Sequence, residues 1–516
     1  MAELATSRHL YQPPRYRSSD LSWHDSWAET LSCSGSRLTF EPAAVLSLLS
    51  FNFVLGDLTL LREIRRQPWL SSIGPGGEPV LEPIPPHGLR WEPLVTIADE
   101  LGRRLCDEAA RACFGRSQVY ILLSGGLDSR VIAATLARLV REGRIPTNPV
   151  AVTWGLPDSR DAAYGRETAR ILGFEWTHLP LAPQHVVENV ENCARLLGAS
   201  VSPVHLHRMP WFRSAPRDAL VLAGNYGDMV GRAEFSGQWL LELSPLRPSN
   251  AFGLLRAEIA AAARDELEAA LGALRARAPG RPGYEACEHE MHGHYTRGLI
   301  AHSMSVINNF CDVYQMFTDP NVYTYMWSLH PSLRSDAIYA ILLERLHPNI
   351  ARLPWARTNR ALRGVTRGAR PDVRRNFHDY AGWISGPLYP DLSGAVDPDW
   401  FAATGLFDPN GVRRVKQLVS GGPDGPGGVY GNSLFEMFTW LACFRRMIDG
   451  LAGQGKTVRL DPPSSRGGKA RPAVPLDRMS RLRRLLSSSP TLSGAVQTVR
   501  RRLLRFQARL RYRPDG

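Results

Sequence analysis

Hydrophobic positions between residues 95 and 223 follow two alternating patterns. Short uncharged runs are followed by longer stretches in which apolar and polar residues recur at helical spacing. The runs predict buried strands, and the stretches predict helices that pack on them. This alternation indicates βαβ units and a parallel sheet with flanking helices, an α/β fold. The predicted elements are strands at 119–123, 150–154, 175–179 and 219–223, and helices at about 95–114, 128–141 and 162–172.

The regions on either side of this alternation have different patterns. Residues 1–94 predict short strands and turns, with a helix, a turn and a second helix at 48–64. Residues from about 250 to 346 are predicted to be largely helical, because apolar residues recur there at spacings near three and four. A Gly/Pro-rich linker at 421–428 precedes another apolar helix at 434–448. We therefore predict a β-rich N-terminal part and helical C-terminal additions.

Length and composition limit the class of protein. A chain of 516 residues exceeds what one hydrophobic core usually serves, so two or more domains are expected. Its seven cysteines are scattered without a Cys-x-x-Cys pair, which argues for a reducing compartment and against structural zinc. The N-terminus lacks the pattern of a signal peptide, and the longest apolar stretch, 43–55, is too short to span a bilayer. We expect a cytoplasmic protein.

The net charge of +13 is concentrated in one segment. From Arg466 onward the chain has fourteen Lys and Arg residues against two Asp, a net charge of +12, so the preceding residues carry only +1. The end of this segment also predicts an amphipathic helix, and two hypotheses stay open: a packed terminal helix, or a helix at an anionic surface. Lipid head groups would make the protein peripheral at the membrane; nucleic acid is the less favoured partner. The apolar stripe consists of Val496, Val499, Leu503, Phe506 and Leu510.

The turn after the first predicted strand has the composition of a phosphate-binding loop. It reads Ser124-Gly125-Gly126-Leu127-Asp128-Ser129. Unpaired N–H groups at a helix start attract anions, and glycines let the main chain approach phosphate closely. Asp128 can hold Mg²⁺ between phosphate oxygens, while Ser124 and Ser129 can donate hydrogen bonds to them. The segment predicts a nucleotide site, with an ordinary turn as the alternative; it lacks the Gly-Lys-Ser/Thr of a Walker loop.

A second motif follows the strand at 219–223. It reads Gly224-Asn225-Tyr226-Gly227-Asp228, with Gly231 three positions later. In a parallel sheet it should lie at the same edge as the phosphate loop, where Asp128 and Asp228 could bracket one or two magnesium ions. A surface turn is the alternative, because Gly, Asn and Asp are common turn residues.

These motifs together resemble the asparagine synthetase family, a group of N-type ATP pyrophosphatases with an adenine nucleotide α-hydrolase-like fold. The resemblance covers roughly 95–450, and residues 48–64 resemble the end of the amidotransferase domain that precedes this domain in the family. It implies three parts: a degenerate, truncated amidotransferase-like domain at 1–94, the ATP-pyrophosphatase domain at 95–450, and a linker with the basic tail at 451–516. The matching segments are Ser124–Ser129, Asp161 to His178, Gly224–Gly231, Asn309–Asp312 and Pro348–Thr358.

The resemblance implies an ATP-dependent ligase that adenylates a carboxylate, releases pyrophosphate and transfers the acyl group to an amine. It implies ATP and Mg²⁺ as cofactors and Asp128 and Asp228 as the metal ligands. Arg357 lies where the family often has a lysine and would stabilise pyrophosphate. Arg360 is the alternative residue for this role. Without such a role, Arg357 would be a surface charge or part of a surface ion pair. The implied nucleotide-binding residues are Ser124, Gly125, Gly126, Asp128, Ser129, Trp154, Gly155, Gly224 and Gly227.

Two positions depart from the family. Members that hydrolyse glutamine expose a catalytic cysteine after removal of Met1, whereas this chain has Ala2 and a short N-terminal segment, so we expect no glutaminase activity. Asn225 stands where the family has Glu or Tyr. An amide cannot act as a general base, which leaves Tyr226 or the substrate amine itself.

The substrates stay open at this level. The amine would lie within the substrate or come from a second metabolite, as in β-lactam synthetases and lasso-peptide cyclases, and the acid would be a small molecule or a peptide. The alternatives are a tRNA-modifying adenylating enzyme with the basic tail as RNA anchor, and a catalytically silent nucleotide-binding scaffold.

Overall fold

The computed structural model describes residues 6–235, 246–281, 283–362 and 368–461. Residues 6–94 form short strands, turns and two helices. The strands are β1 Tyr16–Arg17, β2 Trp23–His24, β3 Arg37–Thr39, β4 Arg65–Arg66, β5 Ser71–Ile73 and β6 Pro79–Leu81; the helices are α1 Trp27–Cys33 and α2 Pro42–Phe51.

The second helix predicted within 48–64 was wrong. Helix α2 ends at Asn52, which adopts a left-handed conformation with φ of 66° and donates its N–H to Leu48. The following residues, all within the described range, form turns and a bridge between Phe40 and Leu61 before β4 begins. Leu60, Leu61 and Ile64 in this segment are fully buried, and Leu58 is partly buried against the same core. The same hydrophobic run therefore packs into the core without helical backbone.

A parallel sheet of five strands lies at the centre of the described residues, and the predicted alternation is confirmed. The order across the sheet is β11-β10-β7-β8-β9. Because β8 and β9 extend it on one side of β7 and β10 and β11 on the other, the strand order reverses beside β7, where α/β sheets bind ligands. The elements are α3 Leu94–Cys113, β7 Val119–Leu122, α4 Leu127–Arg141, β8 Val150–Gly155, α5 Arg160–Leu172, β9 Glu175–Pro180, α6 Pro183–Leu197, β10 Leu220–Ala223 and β11 Asp312–Gln315.

Helices follow the sheet strands in the C-terminal half, as predicted, except that β11 interrupts them. These helices are α7 Ala257–Ala276, α8 Gly283–Glu290, a π-helix at Met291–Ala301, α9 His302–Met304, α10 Pro320–Ser328, α11 Asp336–Leu346, α12 Pro348–Ala351, α13 Tyr380–Ser385, α14 Tyr389–Ala395, α15 Pro398–Ala403, α16 Pro409–Ser420 and α17 Asn432–Gly453. The last strand, β12 Thr457–Arg459, runs parallel to β3.

One continuous hydrophobic core extends from Leu10 to Leu451. It crosses the predicted domain boundary at residue 94, where α3 begins. Within the described ranges, no helix is long and apolar enough to span a bilayer. The predicted amphipathic tail lies outside the described residues.

Candidate functional site

A cavity of about 420 Å³ opens at the carboxyl ends of β7, β8 and β10. Its position is the one that the reversal of strand order favours for a ligand. Eight residues singled out from the sequence line it together: Ser124, Gly126, Asp128, Ser129, Trp154, Gly224, Asn225 and Asp228. Gly125, Gly155 and Gly227 lie in the same loops without being part of the cavity wall.

The start of α4 forms the part of this wall that the sequence predicts to bind phosphate. Gly126 precedes the helix, and no side chain caps its first N–H groups. The Ser124 hydroxyl accepts the Gly126 N–H at 3.1 Å and lies 3.1 Å from the Ser129 hydroxyl. The Gly125 N–H is bound at 2.9 Å by Asp161 Oδ1. The loop is therefore held by Ser124, Ser129 and Asp161 of α5, while the helix start keeps donors for an anion.

Two glycines of the predicted site provide room for neighbouring groups. A Cβ atom at Gly125 would lie 2.6 Å from the Ala356 side chain, whose own N–H donates to the Gly125 carbonyl at 3.0 Å. A Cβ atom at Gly227 would lie 2.4 Å from Asp128 Oδ1. Any larger residue at either position would displace the loop or the carboxylate. Gly155 ends β8, and its carbonyl accepts the Leu181 N–H at 3.2 Å.

Asp128 and Asp228 line the cavity as a half-buried pair whose charges interact. Burial and then the charge of Asp128 raise the pKa of Asp228 to about 7. Burial also raises the pKa of Asp128, while the Arg232 guanidinium opposes this shift. Each carboxylate has a buried Oδ1 atom that no described residue donates to. Two such oxygens beside a phosphate loop fit Mg²⁺, which takes one or two carboxylates and completes its shell with phosphate and water.

Arg232 holds one member of this pair, a role that sequence analysis missed. Its guanidinium donates to Asp128 Oδ2 at 2.9 Å and to Asp336 Oδ1 at 3.1 Å. It also lies over the rings of Tyr339 and Trp355, at 5.5 and 5.7 Å. The only signal in the sequence is its position four residues after Asp228, which is one helical turn.

The segment around Arg357 docks on the phosphate loop. A hairpin joins the Trp355 N–H to the Arg360 carbonyl at 2.9 Å, and Ala356 contacts Gly125. Buried Arg130, also missed by sequence analysis, donates to the carbonyls of Gly125 and Pro354 and so joins the hairpin to the loop. Arg357 is half-buried with its guanidinium 5.5 Å from the Trp355 ring centre, next to the loop but not part of the cavity wall. Arg360 is exposed. Their roles toward pyrophosphate stay predictions.

An aromatic wall closes the β8 side of the cavity. Trp154 stacks on His207 with ring centres 5.8 Å apart, and Phe377 meets the same imidazole edge-on at 5.4 Å. His207 Nδ1 lies 2.7 Å from the Tyr380 hydroxyl. Flat apolar rings beside a phosphate loop suit a nucleoside base.

Comparison with known proteins agrees with this geometry. Residues 100–280 match the family model described as asparagine synthase. The matched region contains the phosphate loop, β8 and the Gly224–Gly231 motif. Residues 100–280 are therefore similar to the asparagine synthase family.

Individual relatives match this chain only in part. A probable asparagine synthetase [glutamine-hydrolyzing] from Acanthamoeba polyphaga mimivirus is 34% identical over 93 residues, 18% of this chain and 16% of that protein. Among solved structures, NMN synthetase from Francisella tularensis is 14% identical, with 40% of this chain and 95% of that chain covered and a TM-score of 0.23. A TM-score this low establishes no common fold, and the sheet order itself assigns the fold here.

The structure does not bring Tyr226 into the cavity of the asparagine synthase region. Its fully buried ring stacks on His292 with ring centres 5.9 Å apart and lines a separate small cavity with Tyr11 and Arg297. Burial raises the pKa of Tyr226 far above its usual range. Asn225 does line the main cavity, but its amide accepts no proton.

His205 lines the main cavity near Asn225 and was missed by sequence analysis. Its Nε2 atom is buried, has no hydrogen-bond partner among the described residues and lies 3.8 Å from Glu436 Oε2. The Asn52 amide donates to the same carboxylate oxygen at 2.5 Å. An imidazole beside a fixed carboxylate can accept a proton. No local signal could reveal it, because Asn52, His205 and Glu436 belong to separate parts of the chain.

Proposed function

We propose that this chain is an ATP-dependent, AMP-forming carbon–nitrogen ligase. It adenylates a carboxylate, releases pyrophosphate and transfers the acyl group to an amine. The observation that carries the proposal is the pair of buried, unsatisfied Oδ1 atoms on Asp128 and Asp228 beside the uncapped start of α4. Both lie within the region that matches the asparagine synthase family.

In the first step, a carboxylate oxygen of the acid attacks the α-phosphorus of ATP. The bond from that phosphorus to the bridging oxygen breaks, and pyrophosphate leaves. The α4 N–H groups and the hydroxyls of Ser124 and Ser129 bind the phosphates, and Asp128 with Asp228 would hold Mg²⁺. The metal would supply neutralising charge, the main requirement of phosphoryl transfer.

In the second step, the amine attacks the carbonyl carbon of the acyl-adenylate, and AMP leaves with the bonding electron pair. The attacking nitrogen must lose a proton. His205 is the proposed acceptor, because its unpaired Nε2 lies in the cavity region and Glu436 can stabilise the imidazolium that forms. This assignment replaces Tyr226, which is buried elsewhere.

ATP–pyrophosphate exchange with a panel of carboxylic acids tests the proposal. Asp128→Asn and Asp228→Asn keep side-chain shape but remove charge, so each should lower exchange by about 10²-fold or more. Asp391→Asn, an exposed position in α14, is the matched control and should exchange like the parent chain. Full exchange by both site variants would overturn the assignment.

The nitrogen donor and the alternatives have their own measurements. We propose that glutamine is not hydrolysed, and glutamate released from glutamine by the purified protein would contradict this. A silent scaffold would bind ATP without exchange, whereas a tRNA-modifying enzyme would require tRNA for product formation.

A further inference from the structure

Beyond Asn225 and Asp228, the part of the cavity wall that Met229, the π-helix and α9 form is mostly apolar. Met229, which follows Asp228 in the chain, lines the cavity. The same wall is lined by three residues of the π-helix and one of α9: Tyr295, Leu299, Ile300 and Met304. The Thr296 hydroxyl contacts the Met229 sulfur at 2.9 Å, which fixes the π-helix against this loop. Burial raises the pKa of Tyr295, and the nearby Asp228 carboxylate raises it further. The apolar wall therefore begins next to the carboxylate pair.

The two sides of the cavity suit different parts of a reacting complex. Trp154 and Phe377 stand on the β8 side, where a nucleoside base fits, and the phosphate loop lies between the two sides. An acid whose carboxylate reaches the α-phosphate must extend its other end toward the remaining wall. That wall is made by the π-helix and Met229.

The charges of the cavity disfavour an anionic end. Among the described residues that line it there is no Arg or Lys, whereas Asp128, Asp161 and Asp228 are present. Arg232, which is not part of the cavity wall, is already shared by the carboxylates of Asp128 and Asp336. A second carboxylate on the substrate would lose its hydration without gaining a cation, which is strongly unfavourable. An aliphatic or aromatic group would be stabilised by burial at the same place, because its apolar surface is removed from water.

We propose that the acid adenylated at this site carries an uncharged apolar arm and is not a dicarboxylate of the aspartate type. This inference rests on the proposed ligase function and names the substrate class of the same site.

Paired acids test the substrate class in ATP–pyrophosphate exchange. Butyrate, 4-methylpentanoate and 3-phenylpropanoate present apolar arms, while succinate, aspartate and glutamate present a second carboxylate. We expect exchange with the first set at least tenfold above the second, since a single methylene in an apolar pocket changes selectivity by about tenfold or more. Preference for the dicarboxylates would overturn the inference and leave the ligase function standing. Exchange with neither set would overturn the proposed function itself.

Ile300→Arg changes the wall directly. A cation there should lower exchange with 4-methylpentanoate and raise exchange with succinate, so that the ratio between them falls at least tenfold. Leu81→Arg, at an exposed position of β6, is the control and should leave the ratio unchanged. An unchanged ratio in a folded Ile300→Arg protein would contradict the inference.

Ile300→Ala provides the second variant if the arginine prevents folding. This substitution enlarges the cavity without adding charge. Exchange with 4-methylpentanoate should therefore fall several-fold relative to exchange with 3-phenylpropanoate, whose larger arm can fill the space. Equal effects on both acids would show that their arms do not contact Ile300 and would count against the proposal.

Discussion

The two oxygens of Asp128 serve different purposes. Arg232 holds Oδ2, while Oδ1 is buried without a donor among the described residues, in the space that Gly227 leaves open. An unsatisfied buried carboxylate oxygen costs free energy, so such an atom in a cavity is a site for a ligand. Arg232 orients this carboxylate and opposes the rise in its pKa that burial causes.

Replacing Arg232 by Met should move the pH dependence of the reaction. The Arg232 guanidinium lowers the pKa of Asp128, so its removal raises that pKa, and the acidic limb of the pyrophosphate-exchange profile should shift to higher pH. The free energy of unfolding should fall by about 3–5 kcal/mol, because a buried charge loses its partner. Arg413→Met breaks an exposed pair with Asp399 and should cost less than about 1 kcal/mol. An unshifted profile would mean that Arg232 does not control Asp128.

Replacing His205 by Gln should separate the two chemical steps. The variant keeps a polar side chain but cannot become charged, so amide formation with ethylamine should fall by about 10²-fold or more, well beyond any loss of pyrophosphate exchange. Glu436→Gln should reduce the same step less, since it acts through the imidazole. His347→Gln, at the start of α12, is the histidine control. Equal losses in both steps would assign His205 to binding instead of proton transfer.

Among the elements, the π-helix at Met291–Ala301 is notable for the buried histidines in it and around it. It contributes His292 and His294, with His87, His289 and His302 close to it in the core. The ring nitrogens of His87, His289, His292 and His294 make no hydrogen bond among the described residues, although the first three lie 3.6 to 4.0 Å from glutamate carboxylates. Burial lowers the pKa of His292 to about 4 and that of His294 to about 3. The element is therefore stable only with neutral imidazoles.

Acid should destabilise this element at a pH above the ordinary pKa of exposed carboxylates. In the unfolded chain these histidines bind protons below about pH 6.5, while the folded chain resists protonation down to about pH 4, so stability is fully present above pH 6.5 and falls below it. Each such histidine should contribute about 1.4 kcal/mol per pH unit. Denaturant unfolding between pH 7 and 5 measures the slope, and His294→Leu should reduce it. An identical slope would contradict a buried neutral His294.

Gly125→Ala should test how the hairpin around Arg357 docks on the phosphate loop. The new Cβ would collide with Ala356, so we expect a loss of about 1–3 kcal/mol in stability and a clear loss of pyrophosphate exchange. Gly272→Ala, in α7 with open space around it, should stabilise the chain by about 0.5–1 kcal/mol. Normal exchange by Gly125→Ala would show that the docked hairpin is dispensable.

At the scale of the whole molecule, the two ends of the described chain are joined. Strand β12 pairs with β3, and Lys456 donates to the Ser34 carbonyl at 2.6 Å. Asn52 of the N-terminal segment fixes Glu436 of α17. The N-terminal segment therefore supports the cavity as well as the core.

Two shortened chains should separate the structural role of β12, which pairs with β3, from the role of the basic tail. A chain that ends at Asp461 keeps β12 and should retain pyrophosphate exchange while losing salt-sensitive binding to anionic vesicles. A chain that ends at Gly455 also lacks β12 and should unfold at lower denaturant concentration. Vesicle binding equal to that of the full chain would exclude the membrane hypothesis, and unfolding of the longer variant would favour a packed terminal helix.

The sequence by itself determined the features that depend on neighbouring residues. Alternating apolar runs and amphipathic stretches located β7, β8, β9, β10 and the helices α3, α4 and α5, because period and length are local properties. The Ser124–Ser129 and Gly224–Gly231 motifs were visible as contiguous strings, and the strand order places them at one edge.

Only the tertiary structure decided which distant side chains complete the site. Arg232, Arg130, His205 and the π-helix wall act through contacts with residues far from them in the chain, and no local pattern encodes such contacts. Tyr226, despite lying inside a motif, was turned away from the cavity. The run at 58–64 has helical spacing, yet its buried side chains pack without helical backbone, because core packing outweighs the weak local preference for a helix.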